Sequence, residues 1–460
     1  METMNFSGYT HRFLARFVIE AETPLAVGSG EKDIITDAVA ATDVNGLPYI
    51  PGTAIAGVVR HLIEEARPEG LAVNDIFGFQ KEREGLGSKI IFTEARILNS
   101  KGEVMDGLNP KAKEDEFLKH YTELPVRQHV HINEKGVTDR AGKFDEQVVF
   151  AGTRFCFELE MVAENDDLTN FDAALQQIQR QSFRIGSGTR CGFGEIKIVE
   201  LQKRCLDLKK PEELQLYLSK SSQLSAIWNG WEKQDIQCNE EKEWVKYELI
   251  LQPEDFFLFG SGFGDEEVSM TPVKAKKVDW SSGVGVMKEN LVLIPATSVK
   301  GALAHRVAYH YNRLLERFAG CEGEKKPRVG NENEAVQALF GYESQDEKTQ
   351  VRGNLLFSDV IEKPMADKIL NHVAIDRFTG GAIDGALFSE KTTYGKGHKF
   401  TLTILAKDDA IKDEKTKESL ESAMIDICKG MLPLGGGVNR GNGVFTGCLT
   451  KNGEVLYESK

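Results

Sequence analysis

The sequence predicts an α+β protein built from two tandem ferredoxin-like domains. Three observations carry that expectation. Six motifs recur in the same order in the two halves, each half mixes strand patterns with two amphipathic helices, and each ends in a glycine-rich turn before its last strand. Repetition governs the fold wherever it occurs. PLAVGSG, ending at Gly30, is answered by FFLFGSG, ending at Gly262. IPGTAIAGVVRH from Ile50 is answered by IPATSVKGALAH from Ile294, IFGF at Ile76 by LFGY at Leu339, and KIIFTEARI at Lys89 by NLLFSDVIE at Asn354. HVHIN at His129 matches HVAID at His372, and RIGSGTRCGFGEIKI from Arg184 matches PLGGGVNRGNGVFTG from Pro433. Chance likeness among glycine-rich loops does not preserve order, so the chain reads as a duplication.

Each element has a local reason. Phe13, Ala15, Phe17, Ile19 and Ala21 alternate with more polar neighbours, the pattern of a half-buried strand, and Gly28-Ser29-Gly30 then breaks it. Ile55, Val58, Val59, Leu62 and Ala66 share one face of a helix opened by Thr53 as a cap. Leu168, Phe171, Leu175 and Ile178 mark a second helix, closed by Gly186, and a strand returns after Gly194. The second half repeats this order, with helices near 298–316 and 413–429. Strand, helix, strands, helix, strand is the ferredoxin-like plan, with an antiparallel sheet and both helices on one face. The domains are expected at 1–201 and 244–460. A linker at 202–243 carries KKPEEL, a serine-rich stretch, Trp228 and Trp231. It reads either as a connector with a short helix or as an aromatic pair docking on a neighbouring subunit.

Composition narrows the function classes. The 460 residues exceed a single core, and 41% hydrophobic with 28% charged residues suits a globular chain. Acids outnumber bases, 71 to 57, for a net charge of −14, so any polyanion must be bound by local patches or backbone amides. Seven cysteines without a C-x-x-C pair argue against a disulfide framework or zinc knuckle, and with the absence of a signal pattern or an apolar run long enough to span a membrane they point to the cytoplasm. There is no G-x-x-x-x-G-K-[ST]; Gly28-Ser29-Gly30 lacks a following helix, and His129 with His131 lacks a third ligand.

Glycine, at 44 residues, is concentrated where a nucleic acid strand could approach the main chain. Gly186, Gly188, Gly192 and Gly194 with Arg190 form one such turn; Gly435, Gly436, Gly437, Gly441 and Gly443 with Arg440 form the other. Tight turns at domain edges are the plainer alternative. The helix starting at Gly52-Thr53 offers its N-terminus to an anion, as does its counterpart at Ser298 and Lys300. Arg60, His61, His305 and Arg306 follow on those helices, as further contacts to that anion or as a solvated basic face. Two polar segments, one with Arg127, His129, His131 and Arg140 and the other with Arg377 and Thr379, read as hairpins.

The succession of PLAVGSG, an Asp, NGLPYIPGTAIAGVVR and GSGTRCGFGEI resembles the RAMP superfamily of CRISPR-associated proteins, and in particular the backbone subunits of type III effector complexes. The resemblance covers both halves and implies two fused RRM-like RAMP domains, as in type III-D-like systems. It implies a guide RNA contacting the first helix and glycine-rich loop, a target single-stranded RNA, other CRISPR-associated subunits as partners, and a β-hairpin thumb in each half that flips out a nucleotide every six. The first half departs from the usual pattern, with Ala54 and Ala56 where Ser and Lys are expected. The resemblance also implies target cleavage by an Asp in the loop after the first strand, with Mg²⁺ or Mn²⁺ held jointly with RNA phosphates. Asp37, thirteen residues before Ile50, is the expected catalytic and metal-binding residue, with Asp33 as runner-up; Asp279, fifteen before Ile294, is its expected counterpart. A non-catalytic scaffold and a guide-processing ribonuclease are the alternatives.

Overall fold

The computed structural model describes residues 8–30, 36–66, 73–82, 84–236, 241–343 and 350–459, excepting the side chains of 139–141. Strand His11–Ala21 lies antiparallel between Ile196–Asp207 and Arg154–Ala163. Arg154–Ala163 in turn pairs with Ile90–Phe92 and Ala95–Ile97. The four sheet positions therefore run fourth, first, third, second, the ferredoxin-like order. The alternation read from the sequence sends Phe13, Ala15, Phe17, Ile19 and Ala21 to one face. Helices Gly52–Ala66 and Thr169–Ile178 cover that face with Ile55, Val59, Ile63, Phe171, Ala174 and Ile178. Val58 and Leu62 sit at the margin of this core. The first helix begins at Gly52, one residue before the expected cap. A Cβ there would overlap the carbonyl of Phe92, so the helix terminus lies directly against the strand edge.

The second half repeats the order. Trp244–Pro253 lies between Phe400–Lys407 and Phe445–Lys451, with Leu355–Phe357 beyond Phe400–Lys407. Helices Ala296–Leu314 and Glu414–Cys428 pack Val299, Leu303, Val307, Leu420, Met424 and Ile427 onto Tyr247, Leu249 and Leu251. Identical strand order in both halves is what a duplication produces.

The connecting segment is a cover for the first sheet. Its last strand runs to Asp207, six residues past 201, and Glu232–Gln234 adds an edge strand to it. Leu14 and Leu206, on the sheet face away from the helices, are roofed by Trp228 with Leu216, Tyr217 and Trp231. The Trp228 indole N–H donates to the Leu216 carbonyl at 3.1 Å, and the two tryptophans meet edge to face at 5.0 Å. The aromatic pair is thus engaged within the chain, in a connector that carries the short helix Pro211–Leu218, and the alternative of docking on a neighbour is not needed to bury it.

The halves are locked together. Strands Lys274–Asp279 and Val286–Ile294 form a hairpin, and Val278 enters the first half's core. The Trp280 indole N–H donates to the Gly152 carbonyl at 2.7 Å, and the Arg154 guanidinium lies over its ring at 4.1 Å. Gly152 has φ +78°, and a Cβ there would overlap the Val278 carbonyl oxygen. Among the described residues no helix is long and apolar enough to cross a membrane.

Candidate nucleic-acid interface

Each half projects a hairpin between its second and third sheet strands, Val126–Ile132 with Thr138–Gln147 and Asp367–Ile375 with Ala382–Tyr394. The bases match at three positions, a histidine, a phenylalanine and a glutamate. His129 pairs with Phe144 and His372 with Phe388, their rings stacked at 4.7 and 4.9 Å. Each imidazole lies 3.1 Å from a carboxylate, Glu146 or Glu390. The glycine-rich loop joins the same carboxylate: Ser187 donates to Glu146 at 3.3 Å, and Arg440 and Asn442 donate to Glu390 at 2.5 and 3.2 Å. The segment after Gly-Ser-Gly runs parallel beside it, through bridges Ala38 to Glu146 and Met270 to Glu390. Glu146 and Glu390 therefore tie hairpin, loop and segment together. They were missed in the sequence, although the pair Phe144-Asp145-Glu146 and Phe388-Ser389-Glu390 was visible there.

The glycine turns owe their composition to the chain itself. Gly186 and Gly435 adopt φ +91° and +93°, where a Cβ would strike the carbonyls of Ala26 and Leu258. Gly188 is closed by the Phe193 ring and Gly437 by Asn442. Glycine is required at all four positions whether or not RNA is bound.

Asp37 is exposed beside the first hairpin. Its Oδ2 accepts the Asp145 N–H at 3.2 Å, and its own N–H donates to Asp145 Oδ1 at 2.9 Å. Gln128 donates to Asp145 Oδ2 at 3.2 Å. Asp37 Oδ1 has no hydrogen-bond partner among the described residues. Asp33 and the Arg140 side chain lie outside the described set.

Asp279 is elsewhere. It ends strand Lys274–Asp279, accepts from Ser281 N–H and Oγ at 3.0 Å, and is held below the usual carboxylate range by them. The bridges Gly28 to Ala40 and Gly260 to Pro272, with those to Glu146 and Glu390, align Asp37 with Ser269. The count back from Ile294 had run through the Lys274–Ile294 hairpin, so Asp279 is not the counterpart of Asp37. Among the described residues no cluster of three or more His, Cys, Asp or Glu could hold a metal alone.

A cleft of about 300 Å³ opens between the halves, lined by Gln128, Phe193, Ser261, Thr297 and Ser298. The helix Ala296–Leu314 starts there without a side-chain cap. Its first N–H donates to Asp359 at 2.8 Å, and Lys300 Nζ lies 3.6 Å from Cys191 Sγ. A family model for the RAMP superfamily matches residues 18–197 and 285–446. The chain belongs to the RAMP superfamily. The two matches fall on the two repeats of the fold, and no curated protein matches the chain.

Several cations expected to face RNA are paired within this RAMP protein instead. Arg127 ion-pairs with buried Asp359 across the interface between the RAMP halves. Arg306 meets Asp426 at 2.6 Å, Arg440 meets Glu390, and Arg60 meets Glu64 at 3.0 Å. Arg190 donates to the Gly353 carbonyl at 2.5 Å, and burial draws its guanidinium down to about 10. His61 lies 3.6 Å from Glu65, and His305 reaches the Ile132 carbonyl at 3.2 Å, joining the first hairpin to the second half. Arg127, Arg306 and Arg440 are thus each partnered by an acid of the fold itself. His131 and Thr53 are exposed, as is Arg377, beside Thr379 in a turn built on Asp376.

Proposed function

We propose that this chain is a tandem backbone subunit of a type III CRISPR ribonucleoprotein, binding guide and target RNA beside other CRISPR-associated subunits and cutting the target at a centre built on Asp37. The observation that carries the reading is Asp37, whose Oδ1 has no hydrogen-bond partner among the described residues, at the base of a hairpin that borders the cleft between the two RAMP repeats. RNA is recognised through its backbone. Lys300, near the start of helix Ala296–Leu314, suits a phosphate, the Ala296 N–H of that terminus being already taken by Asp359, and the hairpins act as the thumbs that interrupt the guide–target duplex. Sequence is left to base pairing, which fits a net charge of −14.

Cleavage needs the target strand splayed so that a 2′-oxygen stands in line with the adjacent phosphorus. The 2′-oxygen bonds to phosphorus, the bond to the 5′-oxygen breaks, and the products carry a cyclic phosphate and a 5′-hydroxyl. Asp37 orients this phosphodiester. A carboxylate oxygen without a partner among the described residues, near the second carboxylate of Asp145, fits the oxygen-rich, phosphate-shared binding that Mg²⁺ or Mn²⁺ favours, with Asp37 as the holder. Such an ion would neutralise phosphate charge.

The test is Asp37→Ala in the assembled complex loaded with guide and matching target. Loss of a cut with target binding retained is expected. Unchanged cutting leaves the scaffold reading, which one observation favours for the second half: Ser269 stands where the first half has Asp37.

A further inference from the structure

We propose that cutting is confined to the first half, and that Asp145 is the residue that positions Asp37; the inference rests on the function proposed above. The hairpin bases share a histidine, a phenylalanine and a glutamate and differ, among other positions, at one pair of carboxylates. His129, Phe144 and Glu146 have His372, Phe388 and Glu390 as equivalents, with the same stacking and the same 3.1 Å imidazole–carboxylate approach. Within this shared frame, Asp37 is matched by Ser269 and Asp145 by Ser389. Both members of one carboxylate pair become serines, and they still adjoin each other, Ser269 N–H donating to the Ser389 carbonyl at 2.9 Å.

Chemistry separates the two halves at this point. The first half presents two carboxylates, each accepting the other residue's main-chain N–H. The second presents two neutral hydroxyls, which do not ionise near neutral pH and do not hold a hard divalent cation against water. The nearby acid of that half, Asp265, is already committed: Lys391 and the turn N–H groups of Glu267 and Val268 hold it, and its carboxyl is drawn down to about 2. The second half keeps the architecture of the hairpin base and lacks this carboxylate pair.

The pair in the first half is reciprocal, and that makes Asp145 a positioning residue. Its N–H fixes Asp37 Oδ2, and its Oδ1 fixes the Asp37 main chain. Gln128 in turn holds Asp145 Oδ2. Asp37 Oδ1, which no described residue binds, is then held in a single direction. Asn at 145 keeps the acceptor for the Asp37 N–H; Ala removes it.

The experiment maps target cuts at nucleotide resolution in the assembled, guide-loaded complex, with target affinity measured beside each cut rate. Asp37→Ala abolishes the cut. Asp145→Ala slows it about 10- to 100-fold, the scale of an ångström-sized misplacement, with affinity unchanged. Asp145→Asn recovers it to within about threefold of wild type. Asp279→Ala and Ser269→Ala leave the number and position of cuts as they were. A cut that survives Asp37→Ala and disappears with Asp279→Ala or Asp265→Ala overturns confinement to the first half while leaving the ribonuclease reading intact. Asp145→Asn as inactive as Asp145→Ala overturns positioning through the hydrogen bond. No Asp37-dependent cut at all removes the ribonuclease reading and this proposal with it.

Discussion

Arg127→Ala should destabilise the contact between the halves more than any other single loss of charge at that interface. The Asp359 side chain is 2% exposed and the Arg127 side chain 12%. Burial pushes the Asp359 carboxyl upward, and Arg127 with the Ala296 N–H pulls it back. Removing the guanidinium strands a carboxylate beneath the start of helix Ala296–Leu314, at a cost of about 3–5 kcal/mol. Asp359→Asn keeps an acceptor for Ala296 and leaves a guanidinium that still rests on the Phe193 ring at 5.8 Å, so it costs less, about 2 kcal/mol. The double variant strands no charge and should recover about 2 kcal/mol relative to the sum of the singles. The sign with pH follows. In Arg127→Ala the folded carboxyl titrates above the unfolded one, so the fold holds a proton the unfolded chain has lost. The deficit therefore shrinks on acidification and grows as pH rises. Urea unfolding of the two singles and the double at two pH values measures all of this. Additive singles, or Arg127→Ala within about 0.5 kcal/mol of wild type, would refute the account of a buried pair.

Other perturbations report on other contacts. His310 is buried against Asp426 at 2.7 Å, yet its Nδ1 has no partner, and burial draws its pKa below the ordinary 6.5. The unfolded chain then takes the proton more readily, so the urea midpoint should fall between about pH 7.5 and about pH 5.5, and His310→Gln should flatten that slope. Gly152→Ala places a Cβ against the Val278 carbonyl at φ +78° and should cost at least about 2 kcal/mol, with a changed Trp280 emission spectrum. Trp228→Ala empties the roof over Leu14 and Leu206 and should cost about 3–5 kcal/mol while leaving the sedimentation coefficient of the free subunit unchanged.

Local signals made the fold readable. The strand at 11–21 and the helix at 169–178 announce themselves by periodicity, and Gly186 and Gly435 by the φ their turns demand. What was hidden is long-range. Arg127 finds its acid 232 residues away, and no local pattern encodes that pairing. Asp279 was misplaced because spacing from Ile294 is blind to a hairpin inserted between them. The sequence left Trp228 open between a connector and a docking surface, because the surface it covers, Leu14 and Leu206, is distant in the chain. Asp145, by contrast, was legible: comparing Phe-Asp-Glu at 144–146 with Phe-Ser-Glu at 388–390 exposes the same change as Asp37 with Ser269.

RNA recovered with the complex from its native host and sequenced tests the central claim most directly. The account predicts short RNAs sharing one repeat-derived tag, with crosslinks to both hairpins. Recovery of no RNA, or of fragments without a common tag, would contradict it.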